Sequence, residues 1–359
     1  MGGINNQYIF DTNQLILMVP TLFRAQQFLL NTFFPAESMS DTEFVSIDVE
    51  IGKRRMAPFC SPMVEGKMVE SLRYQTNIFK PPYIKDKRAP DLRKPIRRMI
   101  GERIGGTLSG TEREQANLTY ELEDQVQMID RRLEWMAAQA MLGGSVTLSG
   151  EGFPTTLIDF GRSTTLTVVL AGNDRWGIPA NYNPAGKDPV PTQTIETMQY
   201  RVLKKSGAVV TDIVFTTTPF TLFLNSILAE GAIKFPVLNP SGNILNPGAQ
   251  IQRGAVLKGQ WGQYRLWVYN DWYVDDNNVE QMMIPDGWIV AGGPDLMGIR
   301  AFAQILDPDF NYEALKYAPK TWTKKDPAQR IMLMQSSPIV IPSRPDASYA
   351  VKVCDGVVN

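Results

Sequence analysis

The chain has 359 residues, with 36 Lys+Arg against 37 Asp+Glu, a formal charge of 36 − 37 = −1. So balanced a chain is not built to wrap nucleic acid, whose affinity comes from surplus cations meeting phosphates. It has no histidine and two cysteines, Cys60 and Cys354, far apart in sequence; this excludes histidine-based triads, His-ligated zinc, Cys-cluster metal centres and a disulfide-rich scaffold.

A hydrophobic content of 43% supports a packed core, and a norm of about 150 residues per domain suggests two or three lobes. The apolar run Leu15–Val19 is short, follows Asp11 and is stopped by Pro20. It predicts neither a signal peptide nor a membrane span, and the cysteine usage fits a reduced cytoplasmic setting.

In chain order, residues 1–40 carry a dense apolar set, Phe23, Phe28, Leu29, Leu30, Phe33 and Phe34, ending at Pro35. Two readings stand side by side: a helix packed on its own core, or an arm docked on a neighbouring subunit. Residues 44–51 alternate apolar and polar, the period of a strand with one buried face. The basic cluster Lys53-Arg54-Arg55 follows, and six prolines then punctuate the chain as far as Pro95. Proline continues neither a helix nor a central strand, so this stretch is expected to be extended. Between Lys80 and Arg98 there are eight Lys/Arg against two Asp, an excess of 8 − 2 = 6. A loop this long with little core of its own is uncommon unless it binds something.

Residues 109–142 read as one long helix. Leu118, Leu122, Val126, Ile129, Leu133, Met136 and Ala140 form its apolar stripe, with Thr111 and Glu114 as a capping box and Gly143-Gly144 as its stop. Glu121, Glu123, Asp124, Asp130, Arg131, Arg132 and Glu134 are assigned to a solvated opposite face. The pattern then turns to mixed α/β. Strands are expected at 145–148, 155–160, 166–170, 209–215, 265–269, 288–291, 299–306 and 331–341, and helices at 192–205 and 219–228. A turn is expected at 275–278, and 173–191 reads as a long loop.

The search for chemistry returns little. Gly186-Lys187 lacks the flanking residues of a phosphate loop. Asp307-Pro308-Asp309-Phe310-Asn311 begins like a calcium loop, but Tyr312 stands where glycine belongs and Ala318 where the bidentate glutamate belongs, so a polar turn is favoured. No catalytic, cofactor-binding or metal-ligating residue is nominated. The alternative function is a carbohydrate-binding or hydrolytic α/β protein using clustered carboxylates and Trp261, Trp267, Trp272 and Trp288. A further alternative is nucleic-acid binding through residues 80–98.

Several ordered stretches look familiar together. They are Phe33-Phe34-Pro35, Ala57-Pro58-Phe59-Cys60-Ser61-Pro62-Met63-Val64-Glu65-Gly66, Phe79-Lys80-Pro81-Pro82-Tyr83-Ile84-Lys85 and Thr147-Leu148-Ser149-Gly150-Glu151-Gly152-Phe153. Further along come Asp159-Phe160-Gly161-Arg162, Tyr317-Ala318-Pro319-Lys320-Thr321-Trp322, Asp326-Pro327-Ala328 and Met334-Gln335-Ser336-Ser337-Pro338. On these the chain resembles the major capsid proteins of lambda-type tailed phages, the phage major capsid protein E family.

That resemblance implies an α+β, Hong Kong 97-type capsid fold. Residues 1–40 would be the N-terminal arm, 41–105 an extended E-loop and 106–174 the peripheral domain with a spine helix at 109–142. Residues 175–310 would form the axial domain, and 311–359 would return to the peripheral domain. It also implies a non-enzymatic shell subunit without cofactors, forming hexamers and pentamers around double-stranded DNA without sequence-specific binding and without contact to a membrane. Its locations would be the host cytoplasm during assembly and the virion capsid afterwards. The N-terminus is too short for a fused scaffolding domain, so scaffolding is expected from a separate protein, with a portal and, as an optional partner, a decoration protein. The candidate subunit-interface residues are Phe33, Phe34, Arg54, Arg55, Lys85, Arg88, Arg97 and Arg98, the cations being expected to pair with acidic residues on neighbouring subunits, the spine-helix face among them.

Overall fold

The computed structural model describes residues 26–51, 56–66, 68, 73–90, 109–150, 152–177, 191–229, 244–252, 254–326 and 329–356. Arg54, Arg55, Arg97, Arg98 and Gly186-Lys187 lie outside the described residues.

Helix α1 (Phe28–Phe33) leads into strand β1 (Ala36–Met39). A hairpin follows, β2 (Val45–Ile51) against β3 (Arg73–Phe79), in register from Val45↔Phe79 to Ile51↔Arg73. Strand β4 (Ile84–Arg88) precedes the long helix α2 (Gly110–Gly143) and a second hairpin, β5 (Ser145–Gly150) with β6 (Phe153–Asp159). Then come β7 (Thr167–Val169), α3 (Pro191–Lys205), β8 (Asp212–Phe215) and α4 (Thr217–Ala229). Strands β9 (Ile244–Gln252), β10 (Ala255–Trp261) and β11 (Tyr264–Tyr269) precede a small hairpin of β12 (Trp272–Val274) and β13 (Glu280–Met282). The chain ends through β14 (Trp288–Gly292), β15 (Gly298–Phe302), β16 (Ala318–Lys324), β17 (Gln329–Ser336), β18 (Pro338–Pro342) and β19 (Tyr349–Lys352).

The largest sheet has seven strands in the order β7-β19-β14-β8-β11-β10-β9. Two three-stranded sheets, β1-β15-β18 and β16-β17-β4, lie outside it. Sheet membership cuts across the domain boundaries read from sequence. Tyr349–Lys352 joins the sheet built from 212–292, and Gly298–Phe302 leaves it to pair with β1 and β18. The expected single strand at 331–341 is two strands in different sheets. Pro338 lacks the N–H that would continue the ladder, and the chain changes sheets there.

Helix α2 has 34 residues and so runs about 50 Å. Its cap lies two residues before the nominated Thr111. Ser109 caps it, its Oγ accepting from Glu112 N–H at 3.2 Å while Glu112 Oε2 accepts from Ser109 N–H at 2.6 Å. Gly144 ends it in the left-handed region at φ 69°. The predicted stripe is buried, each large side chain contributing about 1.5–3 kcal/mol. Among the described residues no helix is long and apolar enough to cross a membrane.

Two carboxylates assigned to the solvated face are instead fully buried, Asp130 and Glu134. They stand at i and i+4 on the row that runs from Val126 to Met141, beside the apolar stripe. Tyr317 Oη donates to Asp130. Glu134 accepts from Leu29 N–H at 2.7 Å, Leu30 N–H at 3.1 Å and Tyr269 Oη at 3.1 Å, so it serves the otherwise unpaired N–H groups at the start of α1. Arg300, buried on β15, serves the other end. Its Nε donates to Phe34 O at 2.6 Å and its Nη2 to Leu30 O at 3.2 Å. An acid at the N-terminus and a base at the C-terminus both complement the helix dipole. Arg162 does the same for α2, donating to the carbonyls of Met141 and Leu142.

Burial pushes the Glu134 carboxyl up to about 7, outweighing the three donors that favour its ionised form. A glutamate in the unfolded chain titrates near about 4.3. The folded state therefore holds the proton more tightly, and this contribution is complete below that value and lost as pH rises through about 7. Between about pH 5 and about pH 8 the Glu134 contribution is expected to fall by roughly 2–3 kcal/mol. Denaturant unfolding of Glu134→Gln across that range should show a flatter pH slope than the parent; identical slopes would contradict this role for the carboxyl.

Candidate subunit-contact surfaces

The structure separates the nominated interface residues. Phe33 and Phe34, expected at subunit contacts, are buried in the chain's own core. Phe33 lies against Gly292, and a Cβ at Gly298 would press into the Phe33 carbonyl and the Phe34 ring. Of the two readings of this apolar set, the chain's own core holds for 28–34.

Arg88 finds the spine-helix acids on its own chain. Its Nη1 lies 3.1 Å from Glu121 Oε2 and 2.6 Å from Asp124 Oδ2, and its Nε donates to Asp86 Oδ2 at 2.9 Å. Burial works to lower the guanidinium's pKa; the bonds to Asp86, Asp124 and Glu121 outweigh it and hold it well above its ordinary value. Lys85, three residues before Arg88 on β4 and so on the opposite face, is exposed, with Nζ 5.0 Å from the Tyr83 ring centroid.

A second polar cluster ties Tyr83 to the C-terminal strands. Tyr83 Oη donates to Gln335 Oε1 at 2.9 Å and accepts from Leu306 N–H at 3.1 Å. Gln335 Nε2 and Lys320 Nζ both reach Asp307, at 2.9 Å each. Burial works to raise the Asp307 carboxyl, but Lys320 and Gln335 outweigh it and hold it below the usual carboxylate range. The expected polar turn at 307–311 is present as a single 3-10 turn capped by Asp307. No cluster of three or more potential metal ligands occurs among the described residues.

The β2/β3 hairpin is fastened at its base. Val45 and Phe79 are buried, and Phe79 meets Phe160 edge-on at 5.7 Å. Beyond the hairpin the described residues 56–66 and 68 are all exposed; Met56, Phe59, Met63 and Met68 are each 93% exposed or more. In the sequence the tip's methionines and phenylalanine are interspersed with Pro58 and Pro62, a weaker signal than the neighbouring cations Lys53, Arg54 and Arg55. The tryptophans of the alternative reading do not share a groove. Trp267 is buried against Phe28 and donates to Asp212 Oδ1 at 2.9 Å, Trp261 stacks on Tyr264, and Trp272 is exposed.

Comparison with known proteins places this architecture. The family model described as phage major capsid protein E matches residues 11–353. The major capsid protein of Escherichia phage lambda is 27% identical over 350 residues, covering 96% of this chain and 99% of that protein. The major capsid protein of Enterobacteria phage P21 is 28% identical over 352 residues, with the same coverage. Among solved structures, a protein described as a prophage capsid protein of E. coli CFT073 superposes with a TM-score of 0.73 at 21% identity, covering 96% and 99% of the two chains. The capsid of Ralstonia phage GP4 superposes at 0.53 with 11% identity, covering 94% and 93%. The fold is thus the α+β, Hong Kong 97-type fold of phage capsid proteins. The chain belongs to the phage major capsid protein E family.

Replacing Arg88 by alanine removes its bonds to Glu121, which is mostly shielded from solvent, and to Asp124, and so unties β4 from the long helix. We expect a loss of roughly 1–3 kcal/mol, moderated because Asp124 is half-exposed. Limited proteolysis should then cut residues 80–90 faster than in the parent. An unchanged cleavage rate would contradict the anchoring role.

Proposed function

We propose that this chain is the shell subunit of a tailed-phage head. Copies associate as hexamers and pentamers of an icosahedral shell that encloses double-stranded DNA. The observation that supports this best is the pairing of a tightly fastened body with an uncovered apolar tip at the described residues 56–66 and 68. A monomer has no use for such a tip, whereas a repeating shell covers it on every neighbour. The family match over residues 11–353 supports the same reading. A net charge of −1 suits a container whose wall does not grip its genome.

In this reading residues 41–105 are the E-loop, and Lys85 is the described interface cation, with Arg54, Arg55, Arg97 and Arg98 proposed alongside it. A separate scaffolding protein, a portal and an optional decoration protein are the proposed partners. Assembly would take place in the host cytoplasm. No residue is assigned a catalytic role.

Negative-stain electron microscopy of the purified chain, alone and co-expressed with its scaffold, tests this. Closed shells, tubes or five- and six-fold rings are expected. A monomer that persists after scaffold co-expression would contradict the shell reading.

A further inference from the structure

Two carboxylates flank one buried hydroxyl. Tyr269 Oη, at the end of β11, lies 3.1 Å from Glu134 Oε1 and 3.4 Å from Asp271 Oδ2. A phenol carries a single proton, so it donates to one of the two acids at a time. Burial and the carboxylates beside it hold the Tyr269 phenol well above its usual value, so it keeps that proton at neutral pH. Burial also raises the Asp271 carboxyl, while Trp272 N–H, Tyr269 and Arg131 favour its ionised form. Glu134, the fully buried member, is the acid that takes up a proton near neutral pH.

The other groups facing Glu134 restrict where its proton can point. Helix α1 presents the Leu29 and Leu30 N–H groups, which donate and cannot accept. Asp130, one turn back on α2, takes its hydrogen bond from Tyr317. Arg300 of β15, whose charge is favoured by Glu37, Glu134 and Asp130, is a donor only. The Tyr269 oxygen is the acceptor that the structure holds within reach of Glu134 Oε1. Asp271, on the far side of that oxygen, stands at the root of the β12/β13 hairpin. Its Oδ1 accepts from Trp272 N–H at 3.0 Å and its carbonyl from Met283 N–H at 2.9 Å. The same hairpin is tied to α2 by Trp135 Nε1, which donates to Tyr273 Oη at 3.2 Å, and by Arg132, 3.1 Å from Asp276.

We infer that Tyr269 is a two-position hydrogen-bond switch that links the proton on Glu134, in the core, to the root of the β12/β13 hairpin at the surface. With Glu134 ionised, Tyr269 donates to Glu134 and Asp271 keeps Trp272 N–H. With Glu134 protonated, its O–H donates to Tyr269 Oη and the phenol turns its hydrogen to Asp271. One proton enters from solvent, and the O–H of Glu134 is the only covalent bond made. Asp271 therefore gains a donor below neutral pH and loses it above, so the anchoring of α1 and of the hairpin respond to one event. The switch belongs to the single chain and holds whether or not copies form a shell.

Amide NMR of the full-length chain, 15N-labelled at its seven tryptophans, tests this, because Trp272 N–H bonds directly to Asp271. In the parent the Trp272 amide is expected to shift in a transition near pH 7. Glu134→Gln fixes that carboxyl in its neutral form, so the transition is lost and the amide stays at its low-pH position. In Tyr269→Phe the acid still titrates, seen as a pH-dependent unfolding free energy, but the Trp272 transition is lost. A parent amide without a transition near neutral pH overturns the switch. So does a transition that Tyr269→Phe leaves intact, which would make the coupling a through-space field. If Tyr269→Phe does not fold, tyrosine ring labelling of the parent decides. The Tyr269 ring carbon bearing the hydroxyl should shift together with the Trp272 amide, and a ring carbon that stays still while the amide shifts overturns the switch.

Discussion

The described body depends on a six-residue helix held at both ends by buried ionisable side chains. Glu134 of the spine helix supplies the acceptors for the first N–H groups of α1, and Arg300 of β15 supplies donors for its last carbonyls. Helices this short do not persist by propensity. Here the backbone groups that would otherwise be solvated are paired inside the core, and four large side chains of α1 are buried. The clamp joins three parts that are remote in sequence: the N-terminal helix, the spine helix and the β1-β15-β18 sheet. Removing Glu134 would leave the N–H groups of Leu29 and Leu30 without this acceptor, and removing Arg300 would leave the Phe34 carbonyl without this donor, the costly case for buried polar groups.

The same device recurs where the spine helix ends. Arg162 donates to its last carbonyls, to Ser348 Oγ and to Thr167 Oγ1, linking the helix to the strand pair β7 and β19. Burial pulls its guanidinium down to about 10, yet it stays charged at neutral pH. Buried arginines thus lock helix ends to sheets, while the part-buried Arg88 locks β4 to the long helix. With these helix ends tied inside the body, the most exposed large apolar side chains among the described residues are those of the tip, Met56, Phe59, Met63 and Met68. This division is what an assembling shell requires: subunits rigid enough to repeat, with contacts left for neighbours.

Much of this fold was legible in the sequence because its largest element is strongly periodic. The spine helix followed from a stripe at three- and four-residue spacing, and its cap was displaced only because Ser109 and Thr111 both satisfy the same spacing to a glutamate. The 331–341 run was harder: apolar throughout, it gave no sign that Pro338 would hand the chain to another sheet. Strand β9 carries Pro247, which argues against a central strand and is tolerated at the edge of the sheet. Glu134 and Asp130 were misplaced because a carboxylate beside an apolar stripe looks solvated unless its distant donors are known. Those donors, Leu29, Leu30 and Tyr317, lie roughly a hundred or more residues away. The four nominated arginines outside the described residues remain interface proposals on sequence grounds alone, whereas Phe33, Phe34 and Arg88 are engaged within the chain.

Hydrogen–deuterium exchange on the soluble subunit and on assembled particles tests the central claim most directly. If the body is complete before assembly and the tip is completed by it, the amides of Leu29 and Leu30 exchange slowly in both states, and those of 56–68 become protected only in the particle. Protection of Leu29 and Leu30 that appears only on assembly, or a tip that exchanges equally fast in both, would contradict the account.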